Sequence, residues 1–191
     1  LAATPDGAPI DAARIRAVTV VDYERLVAEG PTGAHATQLF GGATHVVQCL
    51  GTTRTDAGSR AAFRRVDYDY VEAVIRAARE HGVQNYAQVS SQGADAKSCF
   101  LYMRTKGQAD ALAIAAGFRT VCILRPGLLG RGDVARPVER VLGVAMRATP
   151  VAAVGRALLQ CVETAPAGTH TLSDQVIRSL AVGKSSWMTV R

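Results

Sequence analysis

Short apolar runs rich in β-branched residues alternate with longer amphipathic stretches along the chain. Each run stops abruptly at a glycine or at a polar residue. A strand that is apolar on both faces is typical of a parallel sheet covered by helices on both sides. We therefore predict β-strands over residues 15–21, 45–50, 85–89, 120–124 and 169–172.

The stretches between these runs have apolar residues at the spacing of an α-helix. In one of them, Asp67 or Asp69 can serve as the N-cap, and His81-Gly82 supplies a C-terminal stop. An alanine-rich stretch ends in the same way at Gly117. We predict further helices over residues 23–28, 101–116, 138–147, 151–162 and 174–180.

The alternation of strands and helices, with connections of βαβ length, predicts an α/β fold with a doubly wound, Rossmann-like parallel sheet. Because we find no internal repeat and no interdomain linker, we interpret residues 1–191 as one domain. The chain opens at Leu1, and no glycine-rich phosphate loop stands between a first strand and a first helix. We therefore expect the sheet to be N-terminally incomplete, without its first strand–helix–strand unit.

The composition excludes several classes of protein. With 48% hydrophobic and 20% charged residues, the chain is not a disordered segment. No apolar run approaches the roughly 18 residues that a transmembrane helix needs, so we expect no membrane span. The cysteines form no CxxC pair, which favours a reducing, intracellular compartment, cytoplasmic or mitochondrial, over a secreted disulfide scaffold.

The net charge of +6 is scattered along the chain. The densest basic cluster, Arg60, Arg64 and Arg65, is followed at once by Asp67 and Asp69, and no aromatic platform accompanies it. We therefore do not expect nucleic-acid binding, and we interpret the charge as a source of solubility and of attraction for an anionic ligand. The histidines show no metal-ligand spacing, so we expect no metal site.

Ligands of a doubly wound sheet bind beyond the carboxyl ends of its strands. At these ends the sequence changes from apolar to small or polar residues, namely at Asp22, residues 50–53, Ser90-Ser91 and residues 125–127. Many strands end in loops without any functional reason. This change alone therefore does not identify a site.

Tyr102 and Lys106 are four residues apart on a predicted helix, so both side chains project from one face. An ammonium beside a phenol favours the ionised phenolate, which suits the pair to proton transfer. A hydroxyl of Ser90 or Ser91, at the end of the preceding strand, can hydrogen-bond a substrate oxygen. Together these residues predict a proton-transfer site for an alcohol or carbonyl during hydride transfer to a nicotinamide. The alternative is a tyrosine that packs on the sheet and a lysine in solvent.

Five short motifs follow one another in a fixed order, at residues 49–54, 66–70, 90–95, 100–107 and 124–129. The series resembles the atypical short-chain dehydrogenase/reductases, in the branch of the Tat-interacting oxidoreductase and related fungal mitochondrial proteins. The resemblance extends from Val18 to Leu180. It implies a Rossmann fold that binds NADPH or NADH and acts on a small carbonyl substrate.

The resemblance also implies roles for individual residues. Tyr102 would be the proton donor and acceptor, and Lys106 would contact the nicotinamide ribose. Leu50 and Gly51 would pass under the cofactor, because a glycine lets the backbone approach a ligand closely.

Two further cofactor contacts would be Arg136, which precedes Pro137, and Asp22, beside the adenine. We interpret Arg125, which precedes a Pro-Gly turn, as structural. A buried arginine at that position needs partners.

These observations predict an NAD(P)H-dependent oxidoreductase that acts on a carbonyl or an alcohol. The alternative is a non-catalytic Rossmann-like subunit, with possible protein partners in a larger mitochondrial assembly. A third hypothesis, a nucleic-acid-associated regulator, depends on the basic charge alone. A native mass far above that of a dimer would favour the subunit.

Overall fold

The structure, a computed structural model, describes residues 22–130 and 148–182. The strands of its main sheet are β1 (His45–Gln48), β2 (Asn85–Val89), β3 (Thr120–Arg125) and β6 (Gly168–Ser173). They run parallel in the spatial order β1-β2-β3-β6. Two shorter strands, β4 (Leu129–Gly130) and β5 (Thr149–Pro150), pair with each other. The predicted α/β fold with a Rossmann-like parallel sheet is confirmed.

Helices connect β1 to β2, β2 to β3 and β5 to β6, as expected for βαβ connections, and others precede β1 and follow β6. In chain order they are α1 (Tyr23–Glu29), α2 (Ala34–Phe40), α3 (Arg54–Ala57), α4 (Arg60–Arg64), a π-helical turn (Arg65–Asp69, the π turn), α5 (Tyr70–Glu80), α6 (Leu101–Ala115), α7 (Val151–Thr164) and α8 (Asp174–Leu180). The segments α4, π turn and α5 follow one another without a break.

This long helical segment begins at Ser59, whose hydroxyl accepts a hydrogen bond from the backbone N–H of Ala62 at 3.0 Å. Serine is a preferred N-cap because its oxygen satisfies an otherwise unpaired N–H of the first turn. The predicted N-cap at Asp67 or Asp69 is wrong, because both residues lie inside the helical segment, in the π turn. The predicted stop at His81 is confirmed.

Alternate residues of β3 enter two separate hydrophobic clusters, because successive side chains of a strand point to opposite faces. Val121 and Ile123 pack with α1, α2, α5 and α6. Cys122 and Leu124 pack with α7 and α8. Full burial of such a side chain stabilises the fold by about 1.5–3 kcal/mol. Helices therefore cover both faces of the sheet, as predicted for a doubly wound fold.

The common direction of the strands brings their carboxyl ends to one edge of the sheet. In the register, Val46 lies opposite Tyr86, and Tyr86 lies opposite Val121. The predicted strand over residues 15–21 and the predicted helix over residues 138–147 lie outside the described residues. Within the described ranges, no helix is long and apolar enough to cross a membrane.

Candidate active site

Helix α6 carries Tyr102 in its first turn and Lys106 one turn later. The Arg104 guanidinium fixes the start of this helix by donating hydrogen bonds to the carbonyl oxygens of Ser98 and Cys99, at 2.7 and 3.1 Å. The two candidate side chains differ in exposure, since Tyr102 is 40% exposed and Lys106 only 7%. The phenol is therefore open to solvent, whereas the ammonium lies beneath the surface.

The Lys106 ammonium has a partner that the sequence did not indicate. Its Nζ lies 2.6 Å from Oδ1 of Asp67, which is fully buried in the π turn. The other carboxylate oxygen of Asp67, Oδ2, accepts the backbone N–H of Thr52 at 2.8 Å. Buried charges are tolerated when they are paired and hydrogen-bonded. The expected alternative of a solvated lysine is wrong, because Lys106 forms a buried ion pair.

Gly51, just beyond β1, lies against this ion pair. A Cβ on Gly51 would be 3.0 Å from the Lys106 Nζ and 3.3 Å from the Asp67 Oδ1. The glycine therefore makes room for the ion pair at the carboxyl end of the strand. Its implied role beneath a cofactor, together with that of the half-buried Leu50, stays a prediction.

The Tyr102 ring packs on the buried ring of Phe63, with 5.8 Å between the centroids and 34° between the planes. Phe63 and Asp67 are four residues apart on one helical segment, as Tyr102 and Lys106 are on α6. Residues at this spacing lie on one face of a helix. Phe63 therefore contacts Tyr102, and Asp67 contacts Lys106, so one helical segment fixes the positions of both α6 side chains.

The loop after β2 carries both candidate serines to α6. Ser90 is buried, and its backbone N–H donates to the Leu124 carbonyl oxygen at 2.7 Å. The half-buried Ser91 donates its hydroxyl to the Gln92 carbonyl oxygen at 3.3 Å. Further along the loop, the Asp95 N–H donates to the carbonyl oxygen of Met103, at 3.1 Å. The loop is thereby fixed beside the first turn of α6.

A buried polar network lies one further turn along α6, at Asp110. Gln88 donates to Asp110 Oδ1 at 2.6 Å, and Arg125 Nε donates to Oδ2 at 2.9 Å. Burial raises the pKa of Asp110, although the hydrogen bonds from Arg125 and Gln88 act in the opposite direction. We expected Arg125 to need a partner, and the structure shows that this partner is Asp110. In the sequence, only the spacing of Asp110, four residues after Lys106 on α6, could have indicated that Asp110 lies near the candidate site.

A cavity of about 320 Å³ lies between α1, α2 and β1. Asp22 lines it and caps α1, because its carboxylate accepts the backbone N–H of Arg25 at 2.7 Å. His35 and Gln48 also line it and are buried. Neither ring nitrogen of His35 nor the amide nitrogen of Gln48 makes a hydrogen bond within the described ranges. Buried polar atoms are rarely left unpaired, so these two residues beside the cavity are unusual.

The residues present fit a nicotinamide dinucleotide at two points. An ammonium has three N–H donors, and Lys106 Nζ lies beside a single carboxylate oxygen, Asp67 Oδ1, so its remaining donors could bind ribose hydroxyls. Asp22, His35 and Gln48 line the cavity with polar side chains of the kind that hydrogen-bond an adenine. Arg136, the remaining implied contact, lies outside the described residues.

Cysteine and histidine side chains in the described part of the chain form no metal centre. No group of three or more His, Cys, Asp or Glu residues there is placed to hold a metal ion. The cysteines are free thiols; Cys122 and Cys161 are buried, and Cys49 and Cys99 are exposed.

Comparison with known proteins places these features in a family. A family model described as NAD(P)H-binding matches residues 11–165. Protein fmp52, mitochondrial, of Emericella nidulans is 43% identical over 96 residues, which are 50% of this chain and 41% of that protein. Protein HTATIP2 of Rattus norvegicus is 38% identical over 110 residues, which are 58% of this chain and 42% of that protein. The matches cover between 35% and 49% of the length of these and similar curated relatives.

Solved structures share the fold at low sequence identity. RMD from Pseudomonas aeruginosa, complexed with NADPH, superposes with a TM-score of 0.55 and 15% identity over 83% of this chain and 66% of that one. MoeE5 in complex with UDP-glucose and NAD has a TM-score of 0.59 and 18% identity over 75% of this chain and 60% of that one. At this identity the likeness concerns the fold alone. The chain belongs to the NAD(P)H-binding family of Rossmann-fold proteins, as its motifs and their resemblance to the atypical short-chain dehydrogenase/reductases predicted.

Proposed function

We propose that the protein is an NADPH- or NADH-dependent oxidoreductase that interconverts a carbonyl compound and its alcohol. In the direction of reduction, the hydride for the carbonyl carbon would come from a reduced nicotinamide held near Lys106. Tyr102 gives the proton of its phenolic oxygen to the carbonyl oxygen, and a phenolate remains. Ser91, or Ser90 beside it, donates a hydrogen bond that orients the same oxygen. In the direction of oxidation, Tyr102 takes the proton back.

The observation that supports this proposal is the unequal exposure of Tyr102 and Lys106 on one helix. Tyr102, at 40% exposed, is accessible to a substrate, whereas the buried Lys106 is shielded from bulk water. An ammonium shielded in this way acts more strongly on a nearby phenolate than one in water. Lys106 is thus suited to hold the ribose hydroxyls and to stabilise the charge that forms on Tyr102.

The adenine end of the cofactor would lie in the cavity between α1, α2 and β1. Asp22, His35 and Gln48 supply the polar groups, and apolar side chains such as Val46 and Leu39 supply the walls. Membership of an NAD(P)H-binding family supports this assignment. The related protein of Emericella nidulans is named mitochondrial, and we propose the same compartment for this protein.

The second candidate function, a non-catalytic Rossmann-like subunit, is favoured by the Asp67–Lys106 pair. A lysine that is 7% exposed and bonded to a fully buried carboxylate is also what a purely structural ion pair looks like. In that case the nucleotide would be structural or lost, and protein partners would carry the function.

A thermal unfolding titration of the full-length protein with NADPH and with NADH separates these functions. A ligand at about 100 times its dissociation constant adds about 2.7 kcal/mol to the free energy of unfolding. For a domain of this size, that corresponds to a rise in Tm of about 5–10 °C. The enzyme proposal predicts such a rise with at least one cofactor, and the absence of any rise would contradict it.

A matched pair of variants tests the cavity in the same titration. Gln48→Leu removes the unpaired amide from the cavity, and Gln84→Leu makes the same change at an exposed position before β2. We expect the cofactor-induced rise in Tm to shrink in Gln48→Leu and to stay unchanged in Gln84→Leu. An unchanged rise in Tm in both variants would contradict the placement of the adenine in this cavity.

A further inference from the structure

We infer that Asp67 is the positioning residue of this site: its carboxylate holds the Lys106 ammonium at the end of β1, where the cofactor would meet it. The inference rests on the proposed function. The sequence alone indicated a helix cap at this position, and the structure instead buries the residue completely. A carboxylate without access to water must have specific partners, and Asp67 has two.

The two oxygens of Asp67 have separate partners. Oδ1 lies 2.6 Å from the Lys106 ammonium, and Oδ2 accepts the Thr52 N–H at 2.8 Å. Thr52 directly follows Gly51, so one carboxylate joins the lysine of α6 to the backbone beyond β1. Asp67 therefore fixes the Lys106 ammonium relative to the backbone beyond β1, although the rest of the lysine side chain is flexible.

The π turn explains how Asp67 reaches this position. Helices with i→i+5 hydrogen bonds are rare and occur mostly as single turns within α-helices, often at functional sites. Here the π turn spans Arg65–Asp69 between two α-helical segments. Phe63, one turn earlier, packs on Tyr102. The same segment thus fixes both members of the Tyr102–Lys106 pair.

Gly51 limits the space in which the ammonium can lie. A Cβ at this residue would be 3.0 Å from the Lys106 Nζ, so Gly51→Ala would displace the end of the lysine side chain by a few tenths of an ångström. Gly51 is not among the glycines with positive φ, so its backbone tolerates alanine. This variant moves the ammonium without changing any charge.

Asp67→Asn removes the charge and keeps the shape. The carbonyl oxygen of the introduced amide can still accept the Thr52 N–H, but the amide nitrogen then presents a donor to the ammonium, which is also a donor. Asp69→Asn is the matched control. Asp69 lies in the same π turn, is half-buried, and is 3.7 Å from the Arg65 guanidinium. Asp67→Glu tests whether a longer carboxylate restores the function.

The first measurement does not depend on activity. The chain has three lysines, Lys97, Lys106 and Lys184, so ¹³C-labelled lysine gives three resolvable Cε signals. Lys97→Arg and Lys184→Arg assign them. We expect the Lys106 signal to move in Asp67→Asn and in Gly51→Ala and to stay in place in Asp69→Asn. An unmoved Lys106 signal in Asp67→Asn would overturn the inference, whatever the protein binds.

The second measurement is the dissociation constant of NADPH or NADH, whichever raises the Tm, together with kcat and KM. Misplacement of a positioned group by about 1 Å costs up to about 100-fold. By this scale we expect about tenfold weaker cofactor binding in Asp67→Asn, a smaller loss in Gly51→Ala, and partial recovery in Asp67→Glu. Equal constants in Asp67→Asn and Asp69→Asn would overturn the inference. If the wild-type protein binds neither cofactor, the proposed function fails, and the lysine signal alone decides whether Asp67 holds the ammonium.

Discussion

Gly107 of α6 lies against the backbone of Ala96 so closely that a Cβ on Gly107 would be 2.2 Å from the Ala96 nitrogen. The same Cβ would be 2.3 Å from the Asp95 carbonyl carbon. Gly107 directly follows Lys106, and Ala96 belongs to the loop that carries Ser90 and Ser91. The missing side chain thus lets this loop approach α6 beside the candidate site.

Gly107→Ala is therefore expected to destabilise the protein. The clash involves backbone atoms, which cannot move aside as a flexible side chain can. Forcing extra atoms into a packed interior costs about 1–3 kcal/mol and occasionally more. By that scale we expect a loss of about 3 kcal/mol in the free energy of unfolding, measured by urea denaturation.

Gly155→Ala is the matched control for this prediction. Gly155 is an exposed residue of α7, and a Cβ there would meet nothing within 4 Å. Because alanine favours the helix over glycine, this variant should gain about 0.5–1 kcal/mol. Equal effects of the two substitutions would show that the loop does not pack on α6 as described.

The contact between Asp110 and Arg125 predicts coupled effects on stability. Asp110→Asn leaves the Arg125 guanidinium facing an amide, and hydrogen bonds to charged groups contribute about 1.5–3 kcal/mol. We expect Asp110→Asn to lose about 2 kcal/mol, and Arg125→Met to lose more, because it leaves the buried Asp110 carboxylate without its charge partner. In a double-mutant cycle the combined loss should be smaller than the sum of the single losses. Strict additivity would mean that the two residues do not interact.

The contacts of Glu24 predict how the free energy of unfolding changes with pH. Hydrogen bonds from Arg65 and from the Tyr70 hydroxyl lower the pKa of Glu24 from 4.5 to about 2. As the pH falls, Glu24 is protonated in the unfolded chain near pH 4.5 but in the folded protein only near pH 2. The stabilisation by its contacts is therefore complete above pH 4.5 and is lost between about pH 4.5 and 2. The stability difference between wild type and Glu24→Gln should therefore shrink over this interval.

Denaturation at a series of pH values measures that difference. Glu80→Gln, which alters an exposed carboxylate at the end of α5, is the control. A difference between wild type and Glu24→Gln that stays constant between pH 4.5 and 2 would contradict the proposed contact.

The sequence predicted the sheet well because strand burial leaves a local signal. The segment over residues 85–89 was predicted with the observed bounds of β2, and the segment over residues 120–124 differs from β3 by one residue. The cap at Asp67 or Asp69 failed for a physical reason. Aspartate is a good N-cap in general, but the partner of Asp67 is a lysine on another helix, and no local pattern reports that contact.

The candidate site could be predicted only in part. Helical spacing correctly placed Tyr102 and Lys106 one turn apart on α6. Their different exposures depend on how α6 packs against the π turn, and this depends on contacts between residues distant in sequence. For the same reason, the sequence could not indicate that Gly51 makes room for an ion pair. The roles of Leu50, Asp22 and the serines in binding, like the single domain, stay predictions.

The proposal that Tyr102 transfers the proton is tested most directly by the turnover of Tyr102→Phe. The measurement follows the absorbance of NADPH or NADH with a panel of aliphatic and aromatic aldehydes and ketones, beside the cofactor-induced rise in Tm. Tyr68→Phe, at a half-buried tyrosine whose ring faces Arg64, is the matched control. General acid–base catalysis contributes about 10²–10⁴-fold, so Tyr102→Phe should lose at least about 100-fold in kcat/KM while the rise in Tm persists. Turnover that matches that of Tyr68→Phe would contradict the account.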